Sequence, residues 1–247
     1  MDANLDLRLG RWQDVMPGAE VDALITDLPY GARTHAGHNE AFKKAREMRD
    51  GSERAPVAYQ HLTPEDVAAF VSAWSPRTRG WMACMTSHDL IPAWEQAYAD
   101  AGRYHFAPVP CVIRGMTFRM LGDGPSSWTV YLMVARPRTV AAASWGTLPG
   151  AYVVPKNWEG SGGGRGKPLD LMRAIVSDYS RPGDLVCDPC AGYGSTLAAA
   201  LQKGRRGIGA EMEEPVYHEA RKRLEGVAFV DLVAHDAGRK PKQSRLL

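Results

Sequence analysis

Short runs of apolar residues alternate along this chain with segments in which apolar residues recur every three or four positions. The short runs predict buried strands, at residues 5–9, 21–25, 80–85, 109–113, 128–134, 185–187 and 207–210. The longer spacing predicts helices. Two of them begin at residues 64 and 168, and three others span residues 89–101, 195–202 and 215–224. This alternation predicts an α/β fold with a doubly wound, mostly parallel sheet and helices on both of its faces.

Two long segments lack such a pattern. Residues 31–61 are polar and rich in Gly, His and charge, and they predict a long loop of the kind that is usually functional or disordered. Residues 136–167 show no core pattern and include a Gly-Ser-Gly-Gly-Gly run. We expect one domain over residues 1–225, since a chain of 247 residues fits a single large α/β domain. We expect residues 226–247 to form a frayed tail.

The composition is that of an ordinary globular protein, with 45% hydrophobic and 23% charged residues. Its four cysteines are too few for a disulfide framework, and no apolar run reaches membrane-spanning length. We therefore expect a cytoplasmic protein without a membrane anchor. The net charge of +2 is too small to indicate nucleic-acid binding by itself, and acidic neighbours dilute the basic cluster over residues 43–54.

A glycine loop is the first motif that carries chemistry. Residues 188–196, Asp-Pro-Cys-Ala-Gly-Tyr-Gly-Ser-Thr, follow an apolar strand and open a helix. Gly192 and Gly194 let the backbone approach a ligand closely, and the free amides of the helix start attract polar groups. Glu211 ends the next strand, where a carboxylate can accept both hydroxyls of a ribose. These features predict a nucleoside-containing cofactor rather than a dinucleotide, whose fingerprint has no Asp-Pro at this strand end.

The second motif is Asp27-Leu28-Pro29-Tyr30, which follows the strand predicted at residues 21–25. The exocyclic amine of adenine or cytosine is a poor nucleophile, because its lone pair is delocalised into the ring. The Asp27 carboxylate and the Leu28 carbonyl can hold the two amine hydrogens, and Tyr30 offers an aromatic face to the base. In isolation such a turn is more often an ordinary strand end. The catalytic interpretation depends on the resemblance of residues 9–10 and 21–27 to the lead-in of a known enzyme family.

Together the two motifs resemble those of the S-adenosylmethionine-dependent DNA amino-methyltransferases, which modify adenine N6 or cytosine N4. Residues 188–196 resemble the family's Asp-Pro-Phe-x-Gly-Ser-Gly-Thr cofactor loop, and residues 27–30 resemble its Asp-Pro-Pro-Tyr turn. Lys167-Pro168 resembles the pair that closes over the methionine part of the cofactor, and residues 208–211 resemble the ribose-binding strand end. The catalytic turn precedes the cofactor loop, which is the permuted order of the β group.

This resemblance implies a class I, Rossmann-like methyltransferase fold, S-adenosylmethionine as cofactor, DNA as partner and no metal. The implied catalytic residues are Asp27, Leu28, Pro29 and Tyr30. The implied cofactor-binding residues are Lys167, Pro168, Asp188, Pro189, Cys190, Ala191, Gly192, Gly194, Ser195, Thr196 and Glu211. Both motifs are expected at the carboxyl ends of adjacent central strands, where ligands bind in doubly wound sheets. Adenine is favoured because this chain has Asp27, whereas the cytosine enzymes more often have a serine at the corresponding position.

The resemblance also bears on how DNA is read. The target base has to be flipped out of the duplex to be reached. By analogy, residues 31–61 would close over the DNA and residues 137–166 would hold the target-recognition segment. Both segments are short, so either specificity is modest or a homodimer partner or accessory subunit contributes. Such an enzyme is expected at the nucleoid of a bacterial or phage-infected cell.

Four positions depart from the family pattern: Leu28 replaces a proline, Cys190 a phenylalanine, Tyr193 a small residue and Arg11 an aspartate. These departures leave open a non-catalytic partner of an active methyltransferase that binds DNA or the cofactor. A cytosine-N4 enzyme and an amino-methyltransferase of RNA or protein glutamine also stay open, although the latter usually carry the cofactor loop first. We interpret Cys187-x-x-Cys190 as coincidence rather than a redox pair or half a zinc site, because no second pair has matching spacing.

Overall fold

The computed structural model describes residues 3–32, 60–115, 128–139, 145–155 and 166–232. The described residues form one sheet of nine strands with helices packed on both faces. Most of the loop predicted at residues 31–61 and most of the predicted tail lie outside the described residues.

The strands are β1 (Leu5–Leu9), β2 (Ala23–Asp27), β3 (Met82–Thr86), β4 (Arg103–His105), β5 (Val109–Arg114), β6 (Thr129–Pro137), β7 (Tyr152–Pro155), β8 (Leu185–Asp188) and β9 (Arg206–Glu211). Their order in the sheet is β1-β9-β8-β2-β3-β6-β5-β7, and β4 also pairs with β6. β6 runs antiparallel to β3, β4 and β5, whereas the other neighbouring pairs are parallel. The prediction of a mostly parallel sheet is confirmed.

The helices are α1 (Trp12–Val15), α2 (Pro64–Trp74), α3 (Ile91–Asp100), α4 (Leu169–Tyr179), α5 (Ser195–Gln202) and α6 (Glu214–Glu225). On one face of the sheet, α2 and α3 bury Trp74 and Trp94. On the other face, α4 and α5 pack on the sheet around residues such as Ile175. Because side chains alternate along a strand, Leu24 of β2 joins the first core and Ile25 joins the second.

The strands and helices predicted from the apolar pattern are present, with ends displaced by a few residues. Two strands escape that prediction. β4 is only three residues long, and β7 lies within the segment in which we expected no core pattern. That expectation is wrong for β7, which has Tyr152 as its one buried residue and ends at Pro155. Its alternation is too short to stand out from the neighbouring loop residues.

Two central strands bring the two motifs together. β2 and β8 pair in parallel, and each ends in an aspartate. The Thr26 hydroxyl donates to Asp188 Oδ1 over 2.6 Å, which ties the carboxyl ends of the two strands to each other. Asp188 is 2% exposed. Burial raises the pKa of its carboxyl to about 6, against the opposing effect of hydrogen bonds from Thr196, Thr26 and the Cys190 N–H.

Gly209 in β9 is a position where this arrangement leaves no room for a side chain. It pairs with Asp188, and an added Cβ would lie 2.9 Å from the Asp188 carbonyl oxygen and 2.9 Å from Leu197 Cδ1. We expect Gly209→Ala to lower the free energy of unfolding by about 1–3 kcal/mol, because a packed core resists added atoms. Urea denaturation measures this. Gly18→Ala is the control, since nothing lies within 4 Å of a Cβ there, and an equal loss in both variants would contradict this packing.

The buried Asp188 carboxyl makes stability depend on pH. Its folded pKa of about 6 lies above its ordinary value of 3.8, so folding takes up a proton between these values. The stability from this group is therefore lost as the pH rises through that window. Asp188→Asn keeps an oxygen acceptor for Thr26 without the charge. We expect it to be more stable than wild type above pH 7, by on the order of 2 kcal/mol, with the difference vanishing toward pH 4 in urea titrations. A difference independent of pH would refute the assignment.

Candidate functional site

The glycine loop after β8 adopts a conformation that requires its glycines. Gly192 and Gly194 have φ angles of +50° and +75°, in the left-handed region that favours glycine. Gly194 is the N-cap of α5, and a Cβ on it would lie 3.1 Å from Leu224 Cδ1. By contrast, nothing lies within 4 Å of a Cβ added to Gly192. The loop presents bare backbone to open space there, which fits the close approach of a nucleoside cofactor.

The turn itself is tied to two strand ends. Pro189, Cys190 and Ala191 follow directly on β8. The Cys190 N–H donates to Asp188 Oδ1 over 3.2 Å, and the Ala191 N–H donates to the Ala210 carbonyl over 2.9 Å. These two bonds fix the turn against the carboxyl ends of β8 and β9.

Glu211 ends β9 beside this loop and holds its backbone. One carboxylate oxygen accepts a hydrogen bond from the Gly192 N–H over 2.9 Å, and the other accepts one from the Glu213 N–H over 2.8 Å. Burial raises the pKa of the Glu211 carboxyl, while these backbone donors act in the opposite direction. The carboxylate thus lies at the rim of the loop, and its contact with a ribose stays a prediction.

The first turn of α5 is held by a residue that sequence reasoning missed. Ser195 and Thr196 are buried there. Arg223 of α6 donates from Nη1 to Ser195 Oγ over 3.0 Å and to the Tyr193 carbonyl over 3.1 Å. No local pattern marks Arg223 in the sequence, because the contact arises only when α6 packs beside α5.

The catalytic turn predicted after β2 is also an ordered structure. The Tyr30 hydroxyl donates to Asp27 Oδ1 over 3.0 Å. The Leu62 N–H donates to the Tyr30 carbonyl over 3.1 Å, which pins the end of the turn. Leu28 is 4% exposed and packs into the core shared with α2 and α3. The leucine that replaces the family's proline therefore fills the core with its side chain.

Lys167 contacts the catalytic turn. Its Nζ donates to Asp27 Oδ2 over 2.6 Å and also to the Tyr30 hydroxyl. The next residue, Pro168, is the N-cap of α4. Sequence reasoning assigned Lys167 to the cofactor, and the structure places its ammonium on the catalytic turn. Whether this residue also contacts the cofactor stays a prediction.

Other reactive groups are limited in the part of the chain that the structure describes. No group of His, Cys, Asp and Glu side chains there could hold a metal ion. Cys187 and Cys190 are free thiols, and burial raises the pKa of both, which does not favour a reactive thiolate. No described helix is both long enough and apolar enough to cross a membrane.

Comparison with known proteins gives four informative similarities. A family model described as DNA methylase (N6_N4_Mtase) matches residues 155–222. YubD of Escherichia coli (strain K12), which its name describes as a methylase, is 38% identical over 218 residues, or 85% of each chain. The structure of M1.HpyAVI with S-adenosylmethionine has a TM-score of 0.63 at 20% identity, covering 89% of this chain and 98% of that chain. For the cytosine-N4-specific PvuII DNA methyltransferase the TM-score is 0.60 at 10% identity, with coverage of 95% and 91%.

The two structural likenesses show the shared, Rossmann-like fold. The identity to YubD extends over most of both chains, and the family model covers the glycine loop and Glu211. S-adenosylmethionine is the cofactor of this family, as the resemblance implied. The chain belongs to the S-adenosylmethionine-dependent DNA amino-methyltransferases, the family of adenine-N6 and cytosine-N4 DNA methylases.

Proposed function

We propose that this chain transfers the methyl group of S-adenosylmethionine to the exocyclic amine of a base flipped out of DNA, with adenine N6 favoured. One observation carries the proposal. Asp27 ends β2, and Asp188, which leads into the glycine loop, ends the neighbouring parallel strand β8. A base held at Asp27 would face a cofactor held at the loop.

Asp27 and Leu28 would orient the amine. An oxygen of the Asp27 carboxylate and the Leu28 carbonyl each accept one amine hydrogen, which turns the nitrogen lone pair toward the methyl carbon. When bound, S-adenosylmethionine supplies a methyl group already activated on a sulfonium. The nitrogen–carbon bond forms as the carbon–sulfur bond breaks, and the amine then releases one proton to Asp27 or water. Holding the reacting atoms in line supplies much of such a rate enhancement.

The rest of the site would hold base and cofactor. Tyr30 offers its ring for stacking, and Pro29 stiffens the turn that carries it. The glycine loop, Glu211 and Lys167-Pro168 would contact the cofactor, with the backbone over Gly192 open for its approach. These assignments carry the family pattern over to residues at the carboxyl ends of the neighbouring strands β2, β8 and β9, or directly before α4.

Two alternatives compete with this proposal: a different target base, and a protein that binds without catalysis. Cytosine N4 is the second candidate, and Asp27 in place of serine favours adenine over it. A non-catalytic partner of another methyltransferase is the third, motivated by Leu28, Cys190 and Arg11. The burial of the Leu28 side chain favours catalysis, since the reaction needs only the backbone carbonyl of that residue.

We further propose that residues 1–225 act as one catalytic domain, with residues 31–61 and 137–166 contacting DNA. β7 lies within the second segment at the edge of the sheet, and its Val153 is 60% exposed. A second copy of the chain or an accessory subunit would extend the short DNA-contacting surface formed by these two segments.

Asp27→Ala tests the catalytic turn. We expect transfer of labelled methyl to unmethylated DNA to fall about 100-fold or more, the contribution typical of a residue positioned at a reacting proton. Cofactor binding, measured by calorimetry, should persist, because Asp27 lies outside the glycine loop. Asp14→Ala removes an exposed carboxylate of α1 and serves as the matched control with unchanged activity. Full activity in Asp27→Ala would exclude this site.

The modified base identifies the substrate. The chain is produced in cells that lack amino-methylated DNA, and the DNA is digested and analysed by nucleoside mass spectrometry. We expect N6-methyladenine. N4-methylcytosine would establish the second candidate, and neither base, despite measurable binding of cofactor and DNA, would establish the non-catalytic partner.

A further inference from the structure

Lys167 contacts the catalytic turn through groups that the proposed reaction needs. Its ammonium donates to Asp27 Oδ2 over 2.6 Å and to the Tyr30 hydroxyl. The same nitrogen lies 4.9 Å from the centroid of the Tyr30 ring, within range of a cation–π contact. The Lys167 side chain is 15% exposed and that of Asp27 is 30% exposed. The ion pair is therefore partly withdrawn from water.

An ammonium and an exocyclic amine present the same donor to a carboxylate, an N–H bond on a small nitrogen group. We propose that the Lys167 ammonium takes the position of the substrate amine, and that the flipped base displaces it. The ammonium contacts the Asp27 carboxylate, which is one of the two acceptors proposed for the amine, and lies over the Tyr30 ring proposed to stack on the base. This inference rests on the proposed function and adds a step to it, the opening of the Lys167–Asp27 ion pair when the base enters.

Differences in charge favour replacement of the Lys167 ammonium by the substrate amine at Asp27. While Lys167 is paired with Asp27, the negative charge of the carboxylate is compensated and one of its oxygens is engaged. A neutral amine that replaces the ammonium leaves the carboxylate free to orient it and to accept its proton. The base therefore favours the displaced lysine.

Lys167 is flanked by a glycine packed close to the cofactor loop and by the N-cap of α4, and the proposed displacement is a movement of the Lys167 side chain. Gly166 has a φ of +93°, and a Cβ on it would lie 2.9 Å from Ser195 Oγ and 3.5 Å from Tyr193 Cβ. Pro168 caps α4. Lys167 thus stands between the cofactor loop and the catalytic turn, where its ammonium competes with the substrate amine for Asp27.

The test follows the chemical reactivity of the Lys167 amine in the wild-type protein. Sequencing of DNA modified in cells gives the methylated site, and two duplexes are made from it, one intact and one with an abasic target nucleotide. Trace acetylation by acetic anhydride is quantified by peptide mass spectrometry in the presence of S-adenosylhomocysteine. We expect the intact duplex to raise acetylation of Lys167 about tenfold and the abasic duplex to leave it unchanged. Lys203, half-buried after α5, is the internal reference.

Variants separate this role from a structural one. Lys167→Met removes the competing donor, and we expect it to lower the KM for the intact duplex about fivefold without changing the affinity for the abasic duplex. Lys167→Arg keeps a cation and should return the KM toward that of the wild type. Lys203→Met is the matched control and should change neither quantity.

Equal acetylation of Lys167 with the two duplexes would overturn the inference, and so would a KM of Lys167→Met at or above that of the wild type. Either result leaves the proposed function intact if methylated bases are found. The absence of any methylated base overturns the proposed function, and this inference falls with it.

Discussion

The parallel pairing of β2 with β8 is the constraint on which the site depends. Parallel strands end at the same edge of a sheet, so Asp27 and Asp188 are brought to one place although they lie far apart along the chain. The hydrogen bond from Thr26 to Asp188 joins residues separated by 162 positions and fixes the two strand ends against each other. Without the pairing of β2 with β8, nothing would fix the distance between the catalytic turn and the glycine loop.

This placement is obtained at a local cost in stability. A carboxylate that is almost fully buried is unfavourable unless donors surround it, and Asp188 has Thr26 and the Cys190 N–H as partners. Its raised pKa shows that these donors offset only part of the burial. Gly209 opposite it leaves space for the backbone to approach. The buried Asp188 carboxylate therefore serves the position of the loop rather than the stability of the fold.

Most of the fold could be predicted from the sequence because its elements carry strong local signals. The Thr63 cap and Pro64 mark the start of α2, and the capping box between Thr63 and Asp66 is present in the structure. The glycine loop could be predicted from its place between an apolar strand and a helix. β7 could not, since a four-residue edge strand with one buried side chain has little pattern to detect.

The candidate site could be predicted in its parts but not in its contacts. Sequence reasoning placed Lys167 with the cofactor-binding residues, whereas its ammonium contacts Asp27, 140 positions away. Arg223 and Thr26 support the loop through tertiary contacts that no local spacing encodes. Residue types and strand ends indicate which groups are available, and only the packed structure shows which of them touch.

The central claim is that a methyl donor at the glycine loop faces an amine held at Asp27. A crystal structure of the protein with S-adenosylhomocysteine tests it most directly. The account predicts the ribose at Glu211 and the cofactor sulfur within about 8 Å of the Asp27 carboxylate, the span of one hydrogen bond and an in-line methyl transfer. A sulfur well beyond that distance, or a cofactor bound away from the glycine loop, would contradict it.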